Sequence, residues 1–410
     1  MDTAVMEVKE QSSATSDVME LEKQYLLGTY ARFPVVLEKG KGVFVQDVNG
    51  KKYLDLVSGL GVNALGYAHP RIVKVIREQS AKLVHVSNLY YNQFQGPLAK
   101  KLVELSGLPR VFFSNTGTEA IDGAIKFARA YARKTGREGK FKLVAATNSF
   151  HGRTYGGMSL TATAKYRDDF KPLLDGVTFV PLNDIGALRE AVTDDTCAVF
   201  LETVQGEGGI FECSADYLHT ARQLCTQHHA ALVLDEIQCG LGRTGEMFAF
   251  KHHDIVPDIL TLAKPIAGGL PLGAILVNDE IAASIGSGKH GTTFGGGPLA
   301  CRVALEYLAI VEETNLIEHV RKVGSYFHGE LTNLLEKFSI AKEVRGRGLM
   351  LALELNVPSR PYVDAALAEG VLMNSTHDTT IRFLPPFIVE EKHIDKALKV
   401  LKKVLKKKLS

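Results

Sequence analysis

The chain has no long apolar run, no paired CxxC cysteines and almost no net charge, and each absence removes a class of protein. Without a stretch of about 18 apolar residues, no helix is expected to span a bilayer. The five cysteines (Cys197, Cys213, Cys225, Cys239, Cys301) are odd in number and widely spaced. That pattern argues against a disulfide framework and fits free thiols in a reducing cytoplasm. A net charge of +2 gives no general attraction to nucleic acid or to an anionic membrane. No histidine falls at metal-ligand spacing, since His228-His229 and His252-His253 are adjacent pairs, and no metal is expected. The N-terminus, MDTAVMEVKEQSSATSD, lacks an apolar core and does not read as a signal or transit peptide; residues 1–20 read as a mobile tail.

What is present is ordinary for a folded protein: 45% hydrophobic and 23% charged residues, which excludes disorder. The length of 410 residues suits two or three lobes sharing a core. Short apolar runs recur at Arg110–Ser114, Leu143–Ala146, Val177–Pro181, Ala198–Glu202, Ala231–Asp235, Ile259–Ala263 and Ala274–Val277. Helical patterns such as Glu119–Lys134 and Ala215–His228 lie between them. Apolar strands alternating with helices predict an α/β fold with a mainly parallel seven-stranded sheet buried on both faces. Ligands of such sheets bind at the carboxyl ends of the strands.

Beyond Ala300 a long helical stretch leads through Glu312 towards Lys337, followed by VRGRGLMLALEL, a helix near Tyr362–Ala368 and the strand-like TIRFLPP. This predicts a smaller α+β domain. Asn49-Gly50 between two alternating runs in Gly42–Leu56 predicts a hairpin that joins the smaller lobe. The terminal LKVLKKVLKKKLS has helical apolar spacing. It fits a terminal helix with Leu401, Val404 and Leu405 turned inward, or a basic helix lying on a membrane surface.

Three segments carry chemistry, each with a bland alternative. Thr116-Gly117-Thr118-Glu119 matches a capping box directly after an apolar strand. It is either an ordinary helix cap or a phosphate cradle, in which Gly117 allows close backbone approach to the helix N-terminus. ALVLDEIQ ends an apolar run in Asp235-Glu236, with Gln238 following. Such a pair fits a metal site, an acid/base pair, an exposed turn, or one carboxylate holding a protonated heteroaromatic nitrogen. In ILTLAKPIAGGLPLGA, Lys264 leaves an apolar run before Pro265 and Gly268-Gly269. It is either a surface lysine or a desolvated amine suited to forming a Schiff base.

Two glycine patterns imitate nucleotide sites. Gly240-Leu-Gly-Arg-Thr-Gly245 is a literal G-x-G-x-x-G, but it does not open a helix straight after its strand. GSGKH at Gly286–His290 has Ala283 where a P-loop needs glycine and His290 where it needs serine or threonine.

Taken in order, SNTGTEA, SFHGRT, ETVQGEGG, LDEIQCGLGRTG, LAKPIAGGLPLGA, HGTTFGGGPLA and TIRFLPP resemble the class III (ornithine-type) aminotransferases of the fold-type I pyridoxal-phosphate enzymes. The resemblance spans about Tyr30 to Leu401. GLGVNALGYAHP and FHGRT resemble the members that act on an acylated ornithine. It implies a large cofactor-binding domain at 61–300, a small α+β domain at 301–410 and an N-terminal segment, 21–60, joining the small domain. It implies pyridoxal 5'-phosphate as cofactor, with Lys264 carrying it as a Schiff base and then moving the substrate proton. Asp235 would face the pyridine nitrogen, Gln238 the phenolic oxygen and Phe150 the ring. Gly117 and Thr118 would hold the phosphate, together with Thr293 of a neighbouring subunit, so a homodimer with shared active sites is expected. Arg153 would clamp a substrate carboxylate, and Tyr30 would also contact substrate. Glu207 and Arg382 would form a switching pair that admits an ω-amino donor and 2-oxoglutarate in turn.

The chain departs from the family pattern at Ile121-Asp122, Thr203 and Gly297, where Asn-Glu, Pro and Asn are common. These positions bear on substrate placement rather than on cofactor chemistry. Near Gly59-Leu60 the tyrosine of ornithine aminotransferases is lacking, which implies a roomier wall suited to an acylated amino acid.

Overall fold

The computed structural model describes residues 15–407 and 409. The chain is helical over 15–25, which includes the last part of the stretch expected as a tail up to residue 20, and the Thr15 hydroxyl accepts from Asn49 Nδ2 at 3.1 Å. The remainder of that expected tail, 1–14, lies outside the described residues. Three short strands follow: β1 (Leu37–Lys41), β2 (Phe44–Asp47) and β3 (Lys52–Asp55). The β2–β3 hairpin turns through Asn49-Gly50 as the sequence predicts. The turn is held by Asp47, whose Oδ1 accepts from the Asn49 and Lys51 amides at 3.0 and 2.9 Å.

All seven predicted runs become strands of one sheet: β4 (Arg110–Ser114), β5 (Lys142–Ala146), β6 (Val177–Val180), β7 (Thr196–Glu202), β8 (Ala231–Asp235), β9 (Ile259–Leu262) and β10 (Gly273–Val277). Their order is β4-β10-β9-β8-β7-β5-β6. Every residue of β7 to β10 is buried, as expected of strands covered by helices on both faces. Pairing is parallel from β9 through β6, while β10 runs antiparallel to both β9 and β4. The carboxyl ends of β4, β5, β7, β8 and β9 therefore share one edge, and the segments carrying chemistry leave the sheet there.

The predicted long helix after Ala300 is two helices, Pro298–Glu313 and Leu316–Leu335. They break at Asn315, which adopts a left-handed φ of 48°. Then come β11 (Ala341–Arg347), β12 (Met350–Leu355), a helix at Arg360–Ala368, β13 (Val371–Leu372), β14 (Asn374–Thr376) and β15 (Thr380–Phe383). The sheet β11-β12-β15-β14 is antiparallel. β13 instead pairs in parallel with β3, which ties the N-terminal hairpin to the C-terminal elements.

The final helix, Glu391–Leu405, buries Leu401, Val404 and Leu405. Its apolar stripe is spent on the fold itself, as the terminal-helix reading requires. Among the described residues no helix is long and apolar enough to cross a membrane. All five cysteines are buried and free.

Candidate active site

The first wall of the cleft is backbone. Strand β4 ends at Ser114, and Thr116 caps the helix Gly117–Lys134, its hydroxyl accepting from the Glu119 amide at 3.2 Å. The return arm of the predicted capping box reaches one residue further than expected. Glu119 Oε2 accepts from the Asn115 amide at 2.6 Å rather than from that of Thr116. The Gly117 and Thr118 N–H groups, at the first two helical positions, have no carbonyl to pair with inside the helix and border the cleft. A Cβ at Gly117 would come within 2.8 Å of the Ile237 side chain, so a larger residue there would have to push Ile237 aside. The Thr118 hydroxyl is occupied otherwise: it meets Thr154 Oγ1 at 2.8 Å and accepts from the Arg153 amide at 3.2 Å.

The floor is a chain of buried acids. Successive residues of a strand face opposite sides, and this separates Asp235 from Glu236. Asp235 borders the cleft and pairs with the buried His151 through Nδ1 at 2.7 Å. Glu236 points away and accepts from the Ala249 and Phe250 amides at 2.7 and 2.6 Å. Burial pushes its carboxyl up to about 8, so it serves the start of a 3₁₀ turn and not the cleft. At the end of the neighbouring strand β7, Glu202 accepts from the Phe150 and Gly206 amides, both at 2.9 Å. Its burial raises it to about 7.

Lys264 follows β9 and, among the described residues, is the one non-glycine residue bordering the cleft with a left-handed backbone, at φ 38°. Such conformations cost energy and gather at functional sites. Burial lowers its amine to about 8, against the opposing pull of Glu207. At pH 7 about one such amine in ten is neutral, against about one in three thousand for an ordinary lysine. The surface-lysine reading does not hold, because the residue lines the cleft from within.

The far wall joins two distant parts of the chain. Arg382 on β15 is buried; its Nη1 donates to Glu207 Oε1 at 2.7 Å, to the Gly206 carbonyl at 3.0 Å and to Gln238 Oε1 at 3.1 Å. Burial opposes ionisation of Glu207, but Arg382, Lys264 and the hydrogen bonds together hold it below the usual carboxylate range. At the mouth, the Arg153 guanidinium lies 4.1 Å from the Tyr166 ring centre and 5.5 Å from that of Phe150. The enclosed space is about 430 Å³. Among the described residues no group of three or more His, Cys, Asp or Glu could hold a metal ion.

A partly neutral lysine, an open helix N-terminus and a buried carboxylate surround one space, and the family model for aminotransferase class-III matches residues 28–405. The chain belongs to the class-III aminotransferases. It is 51% identical to acetylornithine aminotransferase of Methanocaldococcus jannaschii over 94% of this chain and 97% of that one. Among solved structures, acetylornithine aminotransferase from Elizabethkingia anophelis is 34% identical, with a TM-score of 0.85 over 95% of this chain and 98% of that one. Ornithine aminotransferase from Toxoplasma gondii, in a crystal structure with partial occupancy of PLP at its active site, is 33% identical. Its TM-score is 0.91, over 95% of this chain and 94% of that one.

In this class-III aminotransferase, Gly117, Thr118, Phe150, Arg153, Glu207, Asp235, Gln238 and Lys264 all border the cleft. Arg382 stands directly behind Glu207. Tyr30 and Thr293 are not brought in: both are exposed, and neither borders the cleft of its own chain. Thr292 beside it is engaged instead, accepting from Asn115 Nδ2 at 2.8 Å.

Sequence reasoning passed over His151, Glu202, Tyr166 and Asn374, which buttress the cleft residues through contacts 8 to 84 positions apart in the chain. His151 and Glu202 left a signal, standing inside SFHGRT and ETVQGEGG. Of the departures, Ile121 is in the core, and Asp122 Oδ1 accepts from the Gly157 amide at 3.2 Å. GLGRTG is a strut: Arg243 is buried and donates to the Leu349 and Pro385 carbonyls at 3.0 and 2.6 Å.

Proposed function

We propose that this aminotransferase moves the terminal amino group of N2-acetyl-L-ornithine, or a closely related ω-amino acid, to 2-oxoglutarate, giving a semialdehyde and L-glutamate. The observation that carries the reading is the Glu207–Arg382 pair at 2.7 Å beside Lys264. A buried cation that can be covered or uncovered lets one pocket take a substrate with one carboxylate and then a substrate with two. Near-full-length identity of 51% to an acetylornithine aminotransferase supports the donor.

The residues present fit pyridoxal 5'-phosphate. The Gly117 and Thr118 N–H groups would take its phosphate, Phe150 would lie against the ring and Gln238 would hydrogen-bond the phenolic oxygen. When bound, pyridoxal phosphate supplies an electrophilic carbonyl carbon and a ring that withdraws electrons from the substrate carbon. Asp235, held by His151, would keep a proton on the ring nitrogen. Lys264, partly neutral near pH 7, would anchor the cofactor and carry the proton removed from the substrate carbon. Arg153 would grip the donor's α-carboxylate at the mouth, a task its planar fork suits.

We infer a homodimer, with 61–300 as the large lobe and 301–410 plus 21–60 as the small one. Leu83, Val84, Leu89, Tyr90, Tyr91 and Phe294 are exposed together. The segments that carry them are bound to each other by Asn88 and Gln95, which donate to the Gly295 and Gly296 carbonyls at 3.0 and 3.2 Å. Thr293, exposed beside Phe294, would reach the phosphate of a second copy, and Tyr30 would contact substrate in the assembled site. The free thiols suit a cytoplasmic enzyme.

The test is steady-state kinetics of the cofactor-loaded enzyme over acetylornithine, ornithine, succinylornithine and 4-aminobutyrate with 2-oxoglutarate. Acetylornithine should give the highest kcat/KM, and a clear preference for free ornithine would overturn the donor assignment.

A further inference from the structure

Glu207 and Arg382 are not held alike. The Arg382 side chain is 1% exposed and does not border the cleft, whereas Glu207, at 27%, stands between it and the open space. A dicarboxylate can reach the guanidinium only if the Glu207 side chain moves, and the guanidinium must then keep its aim without its carboxylate partner. A buried guanidinium that loses its partner is costly unless other acceptors satisfy it.

The Gly206 carbonyl and Gln238 Oε1 remain for Nη1, and the acceptor for the rest of the guanidinium lies on the neighbouring strand. Asn374 on β14 is the direct cross-strand partner of Arg382 on β15. Its Oδ1 accepts from Nε at 3.0 Å and from Nη2 at 2.6 Å, on the side of the guanidinium away from Glu207. On the other flank, Arg382 pairs with Ala352 of β12, which offers no polar side chain. An amide oxygen accepts hydrogen bonds without cancelling charge, so the arginine keeps its positive charge available. Two residues along the same strand, Thr376 donates its hydroxyl hydrogen to the Glu207 carbonyl at 2.8 Å. Strand β14 thus grips the guanidinium with one side chain and the backbone of Glu207 with another, leaving the Glu207 side chain as the part free to turn.

We propose that Asn374 is a positioning residue which keeps Arg382 aimed at the cleft when Glu207 swings away, so that the change of substrate is a rotation of Glu207 alone. The proposal rests on the donor-and-acceptor reading above and deepens it by assigning the device that prepares the site for 2-oxoglutarate.

The experiment compares Asn374→Leu, of similar size but unable to accept, and Asn374→Asp, which accepts but neutralises the arginine. Both are measured as cofactor-loaded enzyme, with each half-reaction followed separately and glutarate binding read by calorimetry. In Asn374→Leu, the KM for 2-oxoglutarate and the Kd for glutarate should rise on the order of 10- to 100-fold, the loss expected when a charged group forfeits its hydrogen bonds. The donor half-reaction should slow by at most about threefold, a split that general damage to the fold would not produce. Asn374→Asp should weaken both dicarboxylates as well, because aim without charge is not enough. Dicarboxylate binding within about twofold of the parent in either variant, or equal loss in both half-reactions, would overturn the proposal. A parent enzyme that does not use 2-oxoglutarate would overturn the functional reading instead, and that is visible before any variant is made.

Discussion

The two walls of the cleft are built in opposite ways. The cradle wall is local: Thr116, Gly117, Thr118 and Glu119 are consecutive, and its donors are backbone N–H groups that any helix start must leave open. The opposite wall is assembled from residues 175 and 144 positions apart, where Arg382 meets Glu207 and Gln238. The local wall offers a fixed set of donors suited to an anion that stays. The assembled wall offers a charge that can be covered, suited to substrates that alternate. Permanence comes from backbone geometry here, and exchange from side chains on separate elements.

Lys264 lies between the walls, and removing it tests whether both converge on one reaction. Lys264→Ala should lower transamination by about a thousandfold or more while phosphate-anchored cofactor still binds, measured by turnover and by cofactor titration. Near-normal turnover would dissolve the comparison. Next in size, Arg382→Lys should break only the exchanging wall. The KM for 2-oxoglutarate should rise about 10- to 100-fold, because an ammonium cannot reproduce the planar fork held by Asn374, while cofactor affinity should change little.

The pH dependence of the cofactor-free chain sharpens the same picture. Lys264 titrates near 8 when folded and near its ordinary 10.5 when unfolded, so between these values the unfolded chain binds the extra proton. Stability should therefore rise with pH from about 8 to about 10.5, with the full penalty present below 8. The shift corresponds to about 3 kcal/mol. Lys264→Met should remove this component, so the stability difference between parent and variant, from denaturant unfolding at each pH, should shrink by that amount across the window. The smallest effect belongs to the permanent wall. Gly117→Ala should cost about 1–3 kcal/mol by forcing Ile237 aside, and should weaken the cofactor without changing the preference among donors. Thermal unfolding and cofactor titration would check both parts.

Much of this was legible beforehand because its causes are short-range. Alternation of apolar runs and helices marked all seven strands of the large sheet, and Asn49-Gly50 marked its hairpin. Where residues with similar local patterns take different roles, the local pattern left the choice open. Asp235 and Glu236 are adjacent carboxylates, yet one borders the cleft and the other ties down a turn near Phe250. The continuous helical pattern across Glu313–Leu316 concealed a left-handed Asn315. Glu119 could have returned to either of two amides, and packing selected that of Asn115.

By itself the sequence determined the elements, the helix cap at Thr116 and the apolar setting of Lys264, because hydrophobic period, turn chemistry and capping act within a few residues. Only the tertiary structure decided that Asn374 stands opposite Arg382, that His151 holds Asp235 and that Tyr166 carries Arg153. Those choices depend on strand register and on which elements pack together. Register is set by the whole buried face of a strand rather than by the residues that use it.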